Sequence, residues 1–180
     1  MKKLVLGAAL VSVAAAAAVP AFGATVTKRT TSPNLDIHGG VKFEPNRYIQ
    51  DQQRFAKDVY ALKSGAQIKI ANKATGEPHT VSVVSKSDLP KNMRAFGGCF
   101  EGGICGQLTQ AHGFPEGGGE PKTPLLDKGA AGLDTKGDSI SIAPFGPGGK
   151  ATVKLSAKKG KQLYLLCIIH PWMQAKISVK

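Results

Sequence analysis

Cys167-Ile168-Ile169-His170-Pro171-Trp172-Met173 sets a thiol, an imidazole and a thioether three residues apart. Leu163 and Leu165 alternate with polar residues on one side of this run, and Ile177 and Val179 do so on the other. Period-two alternation marks half-buried strands, so the run reads as a tight turn between two strands, stiffened by Pro171. A thiolate, imidazoles and a distant thioether are the soft and borderline donors that copper takes when its two oxidation states must share one geometry. Cys167 would form the strong equatorial bond as a thiolate, and Met173 the weak axial one. One short loop cannot surround an ion, and a second histidine is missing from it. Glu77-Pro78-His79-Thr80-Val81, about ninety residues upstream, offers one at the head of another alternating run. The candidate ligands are His79, Cys167, His170 and Met173, for one copper ion.

Outward from this loop, the alternation recurs. Leu35, Ile37, Val41 and Phe43 form a first region broken by Gly39-Gly40, and Ile68 with Ile70 a second. Val81 with Val83, Ile140 with Ile142, and Val153 with Leu155 follow. Pro, Gly, Asn and Asp separate these runs, as hairpins and sandwich crossings require. The expectation is an all-β, Greek-key sandwich or barrel of about seven or eight strands.

Two stretches fall outside that pattern. Tyr48, Phe55, Val59 and Leu62 stand near helical spacing, so a short amphipathic helix is expected within 46–63, giving way to a strand near Val59. Residues 85–136 are rich in Gly and Pro and alternate little; they read as an ordered insertion with short helices near 89–96 and 106–111.

Three cysteines in an exported chain leave one over. Cys99 and Cys105 lie in a glycine-rich loop able to close a small disulfide ring. Cys167 is then unpaired, and a metal bond accounts for it. His38, before a Gly-Gly turn, reads as a surface residue, and His112 lies in the insertion; neither is assigned to the metal. Met93 reads as packing.

Lys2 and Lys3 precede an apolar stretch, Leu4 to Val19, followed by small residues. This is the pattern of a secretory signal peptide, residues 1–23, with cleavage after Gly23 or Ala21. One domain, 24–180, would remain, roughly 155 residues with no membrane span, exported to the periplasm or beyond the cell. The net charge of +12 suits electrostatic steering towards an acidic redox partner. The basic residues are scattered without aromatic interleaving, which argues against nucleic acid. A monomer is expected.

The run from Tyr164 to Val179 resembles the C-terminal copper loop of the cupredoxins, in the short-loop form typical of amicyanin among plastocyanin, pseudoazurin and amicyanin. Phe43-Glu44-Pro45 and Asn72 with His79-Thr80-Val81 resemble the family's first strands and first-histidine region. The resemblance covers 36–45, 64–84 and 138–180. It implies a type 1 blue copper site, with Asn72, Thr80 and Pro171 supporting the ligands. It also implies that the outer edge of His170 faces solvent and passes the electron, with Pro171 and Trp172 as an apolar collar for a partner; simple packing over the copper loop is the equal alternative for Trp172. Thr80 stands where the family often has Asn, and Ile168-Ile169 where it often has Thr-Pro.

On these grounds the expected function is electron transfer, with copper storage, delivery or scavenging as the alternative. Open copper carriers are rich in Met or His, and this chain has three Met and four His. An oxidase or reductase would need further copper centres, commonly built on His-x-His pairs, and none occurs here. The chain therefore reads as a carrier rather than an enzyme.

Overall fold

The computed structural model describes residues 34–74, 76–116, 118–144 and 149–180. The expected signal peptide and the start of the mature chain lie outside these residues.

Two mixed sheets face each other. One has four strands, in the order β10 (Lys150–Lys154), β6 (Gln67–Asn72), β1 (Asn34–His38) and β4 (Arg54–Phe55). The other has six: β5 (Val59–Leu62), β12 (Gln174–Val179), β11 (Gln162–Leu166), β7 (His79–Val84), β9 (Ser139–Ile142) and β8 (Leu125–Leu126). β1 runs parallel to β6 and β12 parallel to β5, and the other pairs are antiparallel. β2 (Val41–Glu44) and β3 (Tyr48–Asp51) form a separate hairpin. The architecture is a sandwich with no closed barrel. The described residues hold twelve strands rather than seven or eight, because several are short pieces without a periodic run long enough to recognise.

Alternation sorts the side chains by sheet face. Leu35 and Ile37 of β1, Ile68 and Ile70 of β6, Leu163 and Leu165 of β11, and Ile177 and Val179 of β12 fill the core between the sheets. In β7 every residue is buried. Val81 and Val83 enter this first core, while Val84 enters a second, on the opposite face of the six-stranded sheet. The same alternation continues off the end of β11: Leu166 and Ile168 lie in the second core, Leu165 and Cys167 in the first.

The second core is made by the segment between β7 and β9. It contributes α1 (Met93–Phe100) and α2 (Ile104–His112), joined by a disulfide between Cys99 and Cys105, the pair expected from the sequence. Asn92 caps α1 by accepting the Ala95 N–H at 2.9 Å. Gly113, at φ 64°, ends α2, its N–H returning to the Thr109 carbonyl at 3.1 Å. Cys99, Ile104, Cys105 and Leu108 pack on Val84, Leu126, Leu166 and Ile168. The insertion is thus a lid on the outer face of the sheet. Its helices sit a few residues from the expected positions, since the disulfide and the Asn92 cap set the ends.

Within 46–63 there is no helix. β3, β4 and β5 occupy it, and in β5 Tyr60 and Leu62 are buried while Val59 and Ala61 are exposed. The apparent helical stripe mixed exposed Tyr48 and Val59 with buried Phe55 and Leu62. Pairing with the distant β1 and β12 decides these strands, and local spacing carries no trace of it. Val41 and Phe43 likewise point into solvent on the hairpin instead of joining the core. The break at Gly39 (φ 124°) is required: a Cβ there would clash with the Gln52 carbonyl. Met93 is 78% exposed and packs into neither core.

Candidate metal centre

β7 begins with His79, which shares the inward parity of Val81 and Val83. β11 runs out into Cys167 with the inward parity of Leu163 and Leu165. Two strands that pair directly, Leu165 opposite Val83, therefore deliver an imidazole and a thiol to one end of the core. The loop then turns back on itself: the Met173 N–H donates to the His170 carbonyl at 2.8 Å, and the Cys167 N–H to the Met173 carbonyl at 3.1 Å. This tight closure returns His170 beside Cys167.

The three donors converge. His79 Nδ1 and His170 Nδ1 are 3.1 Å apart, and Cys167 Sγ lies 3.8 Å from the first and 3.7 Å from the second. The point equidistant from the corners of that triangle is about 2.1 Å from each, within about 0.2 Å of ordinary bonds from a first-row metal ion to imidazole nitrogen and thiolate sulfur. The triangle therefore fits one ion. Met173 is 1% exposed and lies in the same core cluster as Cys167, tied to the donors by the loop closure.

The surroundings favour charge on Cys167 and His170. Burial opposes ionisation of Cys167, but hydrogen bonding and charge from His170 and His79 outweigh it and bring the thiol down to about 6. Burial likewise opposes protonation of His170, but the Cys167 thiolate and then Glu77 raise its pKa above the ordinary value. His79 Nε2 is buried without a hydrogen-bond partner among the described residues. Leaving such an N–H unmade costs about 1–3 kcal/mol, and metal binding at Nδ1 would offset it.

Thr80 ties the two ligand segments together. Its backbone N–H points at Cys167 Sγ at 3.3 Å, and its hydroxyl oxygen accepts the Ile168 N–H at 2.9 Å. Asn72 acts one step further out, its amide reaching the carbonyls of Glu77 (2.8 Å) and Ala143 (3.1 Å), which fixes the approach to His79. Pro171 is buried and its carbonyl accepts from Gln174 Nε2, which also bonds the Pro90 carbonyl of the lid. Trp172 is 45% exposed, edge-on to His170 at 5.2 Å and stacked on Phe96 of α1 at 5.9 Å.

The outer edge of His170 does not face open solvent as expected. The residue is 5% exposed, and its Nε2 bonds Glu77 Oε2 at 2.7 Å. Gln53 Nε2 holds the same carboxylate oxygen at 2.6 Å. Glu77 was visible in the sequence only as a neighbour of His79, and nothing local signals its reach to a residue 93 positions away. Fixing Nε2 in this way aims Nδ1 at the thiol, the usual service of a carboxylate to a ligating histidine. His38 and His112 stand apart from the donor cluster.

No protein-family model matches the chain, and no curated protein sequence is similar to it. Solved structures do resemble it in fold. Dithionite-reduced auracyanin from Roseiflexus castenholzii is 16% identical, over 83% of this chain and 98% of its own, with a TM-score of 0.43. Oxidised plastocyanin from Dryopteris crassirhizoma is 11% identical, over 82% and 99%, at 0.38. Auracyanin A, a "blue" copper protein from Chloroflexus aurantiacus, is 17% identical, over 82% and 99%, at 0.39. Identities this low leave the chemistry to this chain's own site.

Proposed function

We propose that this chain is a blue copper protein of the cupredoxin family, an exported one-electron carrier using a single ion held by His79, Cys167, His170 and Met173. The observation that carries this is the convergence of two imidazole Nδ1 atoms and a depressed-pKa, wholly buried thiol on one point. Copper in such a site supplies a Cu(II)/Cu(I) couple whose two states tolerate nearly the same trigonal surroundings. The chain's part is to keep those surroundings fixed. The Thr80 amide steadies the thiolate, Glu77 holds the His170 ring, and the core excludes water from Cys167 and Met173. Rigid donors make the reorganisation on electron transfer small.

Electrons would pass through the protein rim nearest the ligands, where His170, Trp172 and Phe96 form a continuous aromatic contact. The net charge, +12 for the full chain and about +10 once Lys2 and Lys3 leave with the signal peptide, would steer an acidic partner towards it. The N-terminal pattern and the disulfide support a periplasmic or extracellular location.

The test is the visible and EPR spectrum after Cu(II) addition, beside a Cys167→Ser variant. An intense thiolate-to-copper band with narrow hyperfine splitting, lost in the variant, is expected. A colourless protein, or a spectrum indifferent to Cys167, would sink the proposal.

A further inference from the structure

Within the apolar second core runs a line of four polar side chains, His112, Ser139, Ser82 and Thr80, each 0% exposed. His112 Nε2 is 2.8 Å from Ser139 Oγ, Ser139 Oγ is 2.6 Å from Ser82 Oγ, and Ser82 Oγ is 3.0 Å from Thr80 Oγ1. Thr80 ends the line at the metal loop, where its hydroxyl accepts the Ile168 N–H and its amide meets Cys167 Sγ. The line joins the lid to the ligand loop without touching a ligand until its last residue.

The line has one direction. His112 Nδ1 lies 2.5 Å from the Thr123 carbonyl, which can only accept, so Nδ1 carries the ring proton. The Thr123 N–H returns to the His112 carbonyl at 2.9 Å, holding the two residues in register. Nε2 must then accept from Ser139. Each hydroxyl has one proton to give, so Ser82 donates to Ser139 and Thr80 donates to Ser82. Every hydroxyl proton points away from the thiolate, and the Thr80 oxygen is left free to take the Ile168 N–H.

The geometry points to His112 as a positioning residue for the copper loop: neutral, it fixes the sense of the Ser139–Ser82–Thr80 chain, and protonation at Nε2 reverses the chain and raises the reduction potential. A protonated ring must donate to Ser139, Ser139 to Ser82, and Ser82 to Thr80. The Thr80 proton, displaced from Ser82, swings towards the loop. Added positive potential beside the thiolate favours the reduced, less positive site. This inference rests on the copper reading above.

The surroundings leave His112 responsive to its own chain. Burial lowers its pKa and the Thr123 hydrogen bond opposes that lowering. α2, β8 and β9 carry no other titratable or charged side chain, apart from disulfide-bonded Cys105, and the Phe114 ring lies 5.4 Å away. His79 of β7 turns to the opposite face, and Arg94 of α1 is exposed, as are Glu116, Glu120 and Lys122 of the following loop. The Asp138 carboxylate, beside Ser139 in sequence, is taken up by the N–H groups of Lys128, Asp134 and Thr135.

The experiment is potentiometry of the copper-loaded protein between about pH 8 and pH 5, for wild type, His112→Gln and Ser82→Ala. NMR of the copper-free protein, following the His112 ring nitrogens and the Thr80 and Ile168 amides, runs in parallel. Wild type should show a potential that climbs on acidification. His112→Gln, whose amide oxygen accepts from Ser139 without titrating, should lose that climb while keeping the alkaline value. Ser82→Ala should leave His112 titrating by NMR but uncouple both the potential and the two amides from it. Identical profiles in all three proteins, a flat wild-type profile, or an Nε2–H tautomer at neutral pH would overturn the inference. If the blue band never forms, the copper reading fails separately. The amide shifts still decide the chain, and Ser82→Ala decides it where His112→Gln does not fold.

Discussion

The two faces of the six-stranded sheet are built on different principles. The inner face is apolar along its length and polar only at its end, where His79, Cys167 and His170 meet. The outer face is apolar around a polar line, Thr80, Ser82 and Ser139, and exists as an interior only because the lid of α1 and α2 covers it. The inner face sets where the ligands stand. The outer face sets what presses on them from behind, through Thr80 and Ile168. A metal loop held from both sides has less room to relax than one backed by solvent.

Truncating one leucine on each face gives the largest expected effect. Leu165→Ala, in the first core at 0% exposure, should cost about 2–5 kcal/mol and lower the urea midpoint of far-UV circular dichroism and the copper band together. Leu108→Ala, in the second core at 4%, should cost a similar amount but melt the helical signal ahead of the strands. One shared transition for Leu108→Ala would mean that lid and sandwich are a single cooperative unit, and the contrast between the faces would collapse.

The disulfide sharpens the same contrast at smaller scale. Cys99 and Cys105 are six residues apart, so the loop they close is short and the chain-entropy gain modest, about 2 kcal/mol. Replacing both by serine should loosen the lid by that amount, read as faster hydrogen exchange in α1 and α2, with β11 and β12 unchanged. Equal acceleration in β11 would place the disulfide's effect on the whole sandwich.

The inner face was largely legible in the sequence. Leu163, Leu165, Ile177 and Val179 alternate on both sides of the ligand loop, and the spacing of Cys167, His170 and Met173 names its own chemistry. The odd cysteine count isolated the Cys99–Cys105 pair for the same reason: it is a local pattern. What stayed hidden depends on distant pairing. β5 lies beside β12 because Tyr60 meets Ile177, more than a hundred residues on, while the nearby Tyr48 and Phe55 mimicked a helix. Ile168 in place of a polar residue looked like a departure; it is an anchor in a second core that no single segment announces. Thr80 ties the two ligand segments through a hydroxyl whose partner is 88 residues away, a reach that nothing local announces.

Glu77 tests whether the rim of the inner face tunes the site as its interior does. Its carboxylate is 2.7 Å from His170 Nε2 but 37% exposed, so solvent weakens its influence. Glu77→Gln removes a negative charge that favours the oxidised site. The expected result is a higher reduction potential, by the equivalent of about 1 kcal/mol, or a severalfold shift towards Cu(I) at fixed applied potential. An unchanged potential would mean that Gln53 and solvent already neutralise the carboxylate.

The smallest expected effect sets one histidine of each face against the other in the copper-free protein. His112, behind the sheet, has a folded pKa below its unfolded value of 6.5. The unfolded chain then binds the extra proton, so its contribution to stability is complete above pH 6.5 and is lost as pH falls towards the folded pKa. His170, at the end of the first core, has a raised pKa, held up by the Cys167 thiolate and Glu77. Its contribution has the opposite sign, present below 6.5 and lost as pH rises through the folded pKa. Cys167, brought down to about 6, adds a third slope, with stability rising as pH climbs above about 6, so neither histidine alone sets the wild-type pH dependence. His112→Gln removes only the slope that rises towards pH 6.5, so the variant should gain stability relative to wild type as pH falls below about 6.5. Copper binding requires a neutral His170 and an ionised Cys167, so the fall with rising pH that His170 contributes should vanish in the copper-loaded variant. If the variant and wild type share one pH dependence, His112 does not titrate with folding, and the lid is only a cover.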